Sequence, residues 1–258
     1  PPKVHLTVRP REWWENLFEK AGCVKNEEAT RAFQQYDDKG KTVCPHFFIY
    51  ICDKGLPGAA PAAVQPGFNG DAPLARTGFQ EQPAIVHEPK AKAKKGEPNS
   101  DFYTKYVHNT ITKMLPYPMK KGFWEKVLAY YPNANNWFDG GAGTCGVMEG
   151  ALKAGRMIHG VELSDVSQTS CKELYQKGLV MQGPLHSIPY PDNSFDLVFS
   201  TEVLEHVPPA LAEQSVRELV RIAQRDVFTT ISLRPSALDK PGKPPKVHLT
   251  VRPREWWE

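Results

Sequence analysis

The sequence predicts an α/β protein whose mostly parallel sheet is covered by helices on both faces. From residue 136 onward, short apolar segments alternate with helical segments, which is the pattern of a parallel sheet. The stretch WFDGGAGTCG at 137–146 contains the first of these apolar segments and the glycine-rich turn that follows it, and a helix comes next. A third observation, the segment PPKVHLTVRPREWWE at both 1–15 and 244–258, bears on how the chain is divided.

Each predicted element rests on its own local pattern. Short apolar runs in the second half of the chain predict strands at 137–139, 157–163, 180–182, 195–200 and 227–232. The apolar run HFFIYIC predicts one more strand at 46–52. Helical spacing of apolar residues, with start and stop signals at the ends, predicts helices at 11–21, 27–36, 100–114 and 122–130.

Composition and charge exclude several classes of protein. A net charge of +3 is too small to indicate a nucleic-acid or membrane partner. No apolar run reaches the roughly 18 residues that a membrane span requires. The five cysteines are scattered, odd in number and form no C-x-x-C pair, so we expect free thiols in a reduced compartment. These features predict a soluble cytoplasmic protein.

A composition change separates the two ends of the chain. Residues 55–100 carry proline or glycine every few positions and lack apolar periodicity, so they are predicted to form a flexible linker. Four lysines of 90–95 lie in this segment. We interpret them as part of a solvated linker rather than a nucleic-acid site.

The glycine-rich turn is the sharpest functional motif. Gly141, Gly143 and Gly146 fit G-x-G-x-x-G, in which glycines allow a tight turn and a close approach to a ligand. Glu162 ends the next strand about 20 residues on, where an acid typically holds ribose hydroxyls. This much fits a nicotinamide-dependent oxidoreductase equally well. Asp139 argues against one, because its carboxylate would repel a pyrophosphate and favour a ligand with positive charge.

Three motifs in order carry a family resemblance. DGGAGTCG (139–146), GVELS (160–164) and IPYPDNSFDLVFSTEVLEHV (188–207) resemble class I S-adenosylmethionine-dependent methyltransferases of the branch with D-x-G-x-G, PDNSFD and LEHV. The match covers about 102–232. It implies a Rossmann-like fold with seven strands, the last antiparallel, and methyl transfer from S-adenosylmethionine to a small-molecule acceptor at O, N or C. The alternatives are the oxidoreductase and a non-catalytic binding module of the same fold.

The resemblance also implies roles for the residues around the turn. Asp139, Gly141 and Gly143 would contact the methionine part of S-adenosylmethionine, and Glu162 would hold its ribose. The sequence departs from the family pattern here, because the usual third glycine is Cys145 and Gly146 comes one place late.

Farther along the chain, the resemblance places the adenine and the reactive methyl group. Leu185 and His186 would flank adenine, through main-chain groups, because Pro184 replaces the acid that is often found there. Thr201 follows the fourth predicted strand of the core, where family members hold the methyl group and the substrate.

The segment after that strand supplies the catalytic candidates. Glu202 lies beside the expected substrate, and His206 is a candidate general base because its unperturbed pKa is near neutrality. His206 is equally interpreted as a helix cap before the prolines that follow. Glu202, Glu205 and His206 form E-x-x-E-H, whose glutamates would share a helix face. This resembles the metal cluster of ubiquinone-pathway O-methyltransferases and small-RNA 2′-O-methyltransferases, so a divalent ion is a further candidate cofactor.

The fold of this family also implies an interpretation of the repeated segment at the two ends of the chain. Residues 1–54 resemble the C-terminal helix and last strands of such an enzyme, and 101–243 resemble its cofactor-binding core. The chain then resembles a window from a tandem-repeated unit, a circularly permuted order or an assembly artefact. One fold has one place for the repeated segment, so we expect 1–15 to occupy it and 244–258 to be displaced, unless two copies of the chain exchange ends.

Overall fold

Seven strands form one sheet in the computed structural model, which describes residues 11–33, 47–53 and 123–232. The predictions for 1–10, 55–100 and 244–258 lie outside the described residues, as does the predicted helix over 100–114. The strands are β1 (Val24–Lys25), β2 (Phe47–Asp53), β3 (Asn136–Gly140), β4 (Met157–Glu162), β5 (Val180–Gln182), β6 (Phe195–Thr201) and β7 (Ala223–Ser232).

The strand order is β1-β2-β7-β6-β3-β4-β5. Strands β7, β6, β3, β4 and β5 pair in parallel, and β2 pairs antiparallel with both β7 and β1. The prediction of a mostly parallel seven-stranded sheet is therefore confirmed, and the predicted antiparallel strand is β2, which lies near one edge of the sheet. Strand β2 precedes the parallel strands in the chain but pairs with β7, with Phe47 opposite Ser232 and Asp53 opposite Asp226. The domain boundaries and the permuted order stay predictions.

Helices connect the strands and cover the sheet. They are α1 (Arg11–Lys20), α2 (Glu27–Phe33), α3 (Phe123–Tyr130), α4 (Gly146–Lys153), α5 (Val166–Ser170), α6 (Lys172–Gln176) and α7 (Pro209–Ile222), with a 3-10 turn at Leu204–His206. Helix α7 begins at a proline because the first helical position needs no N–H donor. Within the described residues, none of the helices has the length and apolar character needed to cross a membrane.

Apolar side chains fill both sides of the sheet. On one side, Trp14 and Phe18 of α1 lie in the same buried cluster as Leu219 of α7. On the other side, Val127 of α3 and Met148 of α4 share a cluster with strand residues. Trp14 is only 1% exposed, so it belongs to the core. Burying a large apolar side chain stabilises a fold by about 1.5–3 kcal/mol, and these clusters hold the strand ends in fixed positions.

The expectation of free thiols is wrong for four of the five cysteines. Disulfide bonds join Cys23 to Cys52 and Cys145 to Cys171. Local spacing gave no sign of either bond, because each partner lies on a different element and the sheet brings the two together. Disulfides persist mainly in oxidising compartments. The predicted cytoplasmic location therefore loses the observation on which it rested.

Candidate functional site

The glycine turn lies where β3 ends and leads directly into α4. The N–H groups of Gly141 and Ala142 both donate to the Val161 carbonyl at 2.9 Å, which bends the turn across β4. Gly141 has φ 91°, a conformation that favours glycine, and a Cβ there would collide with Val203. The turn can therefore adopt this shape only with glycine at 141.

Asp139 lies in β3 directly beneath this turn. Its side chain is only 1% exposed, and its Oδ2 accepts no hydrogen bond from the described residues. Burial, and then the nearby Glu162 carboxylate, raise the pKa of Asp139 from 3.8 to about 7. A buried carboxylate in this state is poised to gain a cationic partner.

Glu162 joins the glycine turn to the segment that follows β4. Its Oε2 accepts from the Gly143 N–H at 2.8 Å. Its Oε1 accepts from the Ser164 N–H at 2.8 Å and from the Ser164 hydroxyl at 2.7 Å. The structure therefore brings Asp139, Gly141, Gly143 and Glu162 together at one edge of the sheet. Their predicted contacts with a cofactor stay predictions.

The loop between β5 and β6 lies next to the turn. A Cβ on Gly140 would come within 2.8 Å of Leu185 Cδ1, so Leu185 packs directly on the glycine turn. Leu185 is buried and His186 is half-buried. Thr201 ends β6 and pairs with Thr230 of β7. All three predicted residues thus lie near the carboxyl ends of the strands.

Helix α7 anchors this loop through a pair that sequence patterns did not reveal. Arg221 contacts both carboxylate oxygens of Glu218 at 2.7 and 2.9 Å. It also donates to the Ile188 and Tyr190 carbonyls and to Asp192. Glu218 in turn accepts from the Ile188 N–H at 2.8 Å. The PDNSFD motif therefore has a structural role, because its first residues are fixed to α7.

Replacing Arg221 by alanine is expected to lower the free energy of unfolding by about 2–3 kcal/mol, because the nearly buried Glu218 charge would lose its partner. Arg217 on the same helix is the matched control. It pairs with Glu213 at side-chain exposures of 45% and 50%, so Arg217→Ala should cost less than about 1 kcal/mol. Urea unfolding of both variants measures the difference. Equal losses would show that the loop anchor adds nothing beyond an exposed ion pair.

Glu202 follows β6 in an unusual backbone conformation. Its φ is 58°, which is uncommon for a residue with a side chain. Its N–H donates to the Thr230 carbonyl at 2.9 Å, and its Oε1 accepts from the Thr230 hydroxyl at 2.9 Å. Strain of this kind concentrates at functional sites. Strand β7 thus fixes the Glu202 carboxylate at the carboxyl edge of the sheet.

The expectation that Glu202 and Glu205 share a helix face is wrong, because the 3-10 turn begins only at Leu204. Glu205 is 1% exposed and accepts from the Ser232 N–H at 3.1 Å. Burial, and then the Glu202 charge, raise the pKa of Glu205 well above its ordinary value. His206 ends the turn, half-buried. The described residues hold no group of three or more His, Cys, Asp or Glu side chains placed to bind a metal, so these three do not form one here.

Comparison with known proteins adds a family and two relatives. Residues 138–230 match the family described as "Methyltransferase domain". The chain is 31% identical over 127 residues to the probable pectin methylesterase CGR2 of Arabidopsis thaliana, covering 45% of this chain and 47% of that protein. The probable pectin methylesterase CGR3 of the same plant matches at 31% identity, with 45% of this chain and 48% of that protein covered. The chain thus spans about half the length of the curated relatives it matches.

Solved structures resemble the chain at lower identity. A Burkholderia thailandensis 1,6-didemethyltoxoflavin-N1-methyltransferase, crystallised with S-adenosylhomocysteine, aligns at TM-score 0.44 and 19% identity over 57% of this chain and 68% of that one. A putative S-adenosylmethionine-dependent methyltransferase from Methanococcus maripaludis aligns at TM-score 0.40 and 20% identity over 52% and 64%. Residues 138–230, which include the glycine turn and the parallel strands on either side of it, are therefore similar to a methyltransferase domain.

Proposed function

We propose that the chain transfers a methyl group from S-adenosylmethionine to an acceptor held beyond β6 and β7. The observation that carries this proposal is the buried Asp139 carboxylate under the glycine turn, with one oxygen that accepts nothing from the described residues. A cation fits that place, and S-adenosylmethionine carries an ammonium and a sulfonium but no phosphate. A dinucleotide would bring its negatively charged pyrophosphate to the same turn.

The residues present fit this cofactor. When bound, S-adenosylmethionine supplies an activated methyl group on a sulfonium leaving group. Asp139, together with Gly141 and Gly143, would hold the methionine part, and Glu162 would accept from the ribose hydroxyls. Leu185 and the backbone at His186 would flank the adenine ring. The protein's own contribution is to align the two reactants and exclude water.

A thermal-shift comparison tests the class of cofactor. A ligand that binds only the folded state stabilises it by RT ln(1 + [L]/Kd), which is about 2.7 kcal/mol at a hundred times Kd. We expect S-adenosylmethionine and S-adenosylhomocysteine to raise the melting temperature and NADH to leave it unchanged. A rise in the melting temperature with NADH alone would contradict this proposal and favour a nicotinamide-dependent oxidoreductase. Tight S-adenosylmethionine binding without transfer to any acceptor would favour a non-catalytic binding module.

We propose a small molecule as the acceptor, methylated at O, N or C. A second candidate comes from the name of the Arabidopsis relatives, probable pectin methylesterases. A pectin methyl ester carries its methyl group on a sugar carboxylate, and a methyltransferase acting on that carboxylate would form the ester that an esterase hydrolyses. Incubation with methyl-labelled S-adenosylmethionine distinguishes the two. Label in low-molecular-weight products supports the first candidate, and base-labile label on demethylated pectin supports the second.

Transfer to a hydroxyl oxygen or to an N–H nitrogen also requires removal of a proton from the acceptor, whereas a carboxylate acceptor has none to lose. We propose Glu202 as the group that removes it, because strand β7 holds its carboxylate at the edge where the acceptor would lie. His206, one turn farther on, is the second candidate. A divalent ion at Glu202, Glu205 and His206 has no support in the described geometry, and the reaction as proposed does not depend on it.

A further inference from the structure

Besides the two backbone bonds to the Val161 carbonyl, a side-chain hydrogen bond and a disulfide join the glycine turn to the end of β4 and to the segment that follows it. The first link is Glu162, whose Oε2 accepts from the Gly143 N–H. The second is the disulfide between Cys145, which directly precedes α4, and Cys171, which lies between α5 and α6. Cys145 is fully buried and Cys171 is 6% exposed. The glycine turn and the segment after β4 are therefore joined both through a carboxylate and by a covalent bond.

Cys145 holds a backbone conformation that its side chain disfavours. Its φ is 62° and its ψ is 23°, in the left-handed region that glycine adopts more easily. Such conformations persist only where the surrounding structure enforces them. Two backbone hydrogen bonds hold this residue in place. The Cys145 N–H donates to the Ala142 carbonyl at 2.7 Å, and the Glu149 N–H donates to the Cys145 carbonyl at 2.9 Å. The disulfide supplies a third constraint, through the side chain.

The hydrogen-bonded link is the one that cofactor binding disturbs. A carboxylate accepts about four hydrogen bonds, and within the described residues Glu162 already accepts at least three, two from Ser164 and one from Gly143. Two ribose hydroxyls would exceed that capacity, so at least one present bond must be given up. The bond to Gly143 holds the part of the turn that leads into α4, and its loss would leave that part without this hydrogen bond, while the bonds from Gly141 and Ala142 to the Val161 carbonyl remain. The disulfide is unaffected by this exchange.

We propose that the Cys145–Cys171 disulfide is a positioning element of the cofactor site, which keeps the glycine turn in its binding geometry while Glu162 engages the ribose. This inference rests on the proposed function. A preformed turn lowers the entropy cost of binding, so the affinity for S-adenosylmethionine depends on the disulfide being intact. A dithiol reductant would break the S–S bond by transferring two electrons and two protons, giving two cysteine thiols and its own cyclic disulfide.

Two alanine variants, each of which removes one disulfide, test the proposal. Cys171→Ala removes the disulfide to Cys145. Cys52→Ala removes the disulfide to Cys23, which joins β2 to the turn after α1. Calorimetric titration with S-adenosylmethionine should give a Kd about tenfold higher for Cys171→Ala than for wild type. Without the disulfide, binding would have to order about one further residue of the turn, and the entropy cost of ordering one residue corresponds to about a tenfold change in Kd. Cys52→Ala should melt at a lower temperature but keep its Kd within about twofold of wild type.

Several results would overturn the proposal. An unchanged Kd for Cys171→Ala, or an equal rise in both variants, removes any specific role of this bond. Mass spectrometry of unreduced peptides that finds Cys145 as a free thiol does the same. If Cys171→Ala does not fold, Cys52→Ala is titrated before and after dithiothreitol, with a reversible rise in Kd expected. Failure of wild type to bind S-adenosylmethionine would refute the proposed function, whereas normal binding by Cys171→Ala refutes only this inference.

Discussion

Replacing Asp139 by asparagine is expected to lower the affinity for S-adenosylmethionine by about ten- to a hundredfold, the value of a hydrogen bond to a charged group. Asparagine has nearly the same shape, so the glycine turn above it should keep its geometry. What is lost is the negative charge, which in a site only 1% exposed is little screened by water. Isothermal titration calorimetry measures the change. Glu213→Gln, which removes an exposed charge on α7, is the control and should bind like wild type.

The same variant should abolish a pH dependence of binding. The pKa of Asp139 is raised to about 7 in the free protein, so the carboxyl is largely protonated at pH 6. A cationic ligand favours the ionised form, so binding releases a proton and the affinity should rise with pH up to about 8. The folding stability of the free protein depends on pH in the opposite direction, because the pKa of Asp139 is raised. Its stability contribution is complete below pH 3.8 and declines as pH rises towards 7. Affinity in wild type that stays flat with pH would contradict the assignment.

Replacing Glu202 by glutamine is expected to lower kcat by about a hundred- to ten-thousandfold, the usual contribution of a general base. The glutamine carbonyl can still accept from the Thr230 hydroxyl, so the side chain should stay in place. The amide cannot take a proton from the acceptor. The Kd for S-adenosylmethionine should remain within about twofold of wild type, since Glu202 lies outside the glycine turn that we propose to bind it. Turnover is measured with the acceptor that the labelling experiment identifies.

His206→Gln is the companion variant. A large loss of kcat in His206→Gln with little loss in Glu202→Gln would assign the proton transfer to His206 instead. Thr230→Val separates position from chemistry, because it removes the hydroxyl that holds Glu202 Oε1 but leaves the carboxylate able to accept a proton. An intermediate loss is expected for that variant. Full activity in both Glu202→Gln and His206→Gln would rule out base catalysis by either residue.

Much of the fold could be predicted because its signals are local. A strand such as β5 reads directly from its apolar run, and the predicted and observed bounds agree at Val180–Gln182. Strand β7 begins at Ala223, earlier than predicted, because its first residues read equally well as the end of α7. The expectation of a helix through Glu202 failed, since the bonds to Thr230 hold that residue in a left-handed conformation. A contact with a residue on another strand has no signature in the local sequence.

The class of fold, the glycine turn after Asp139, and the ordered motifs that resemble those of methyltransferases could all be inferred from the sequence. These features depend on residue types within a few positions of one another. Three features became apparent only in the three-dimensional fold: β2 pairs with β7, Arg221 anchors the loop at Ile188, and Cys145 bonds to Cys171. Each of these joins residues far apart in the chain. Their proximity results from how helices and strands pack, which one-dimensional spacing does not specify.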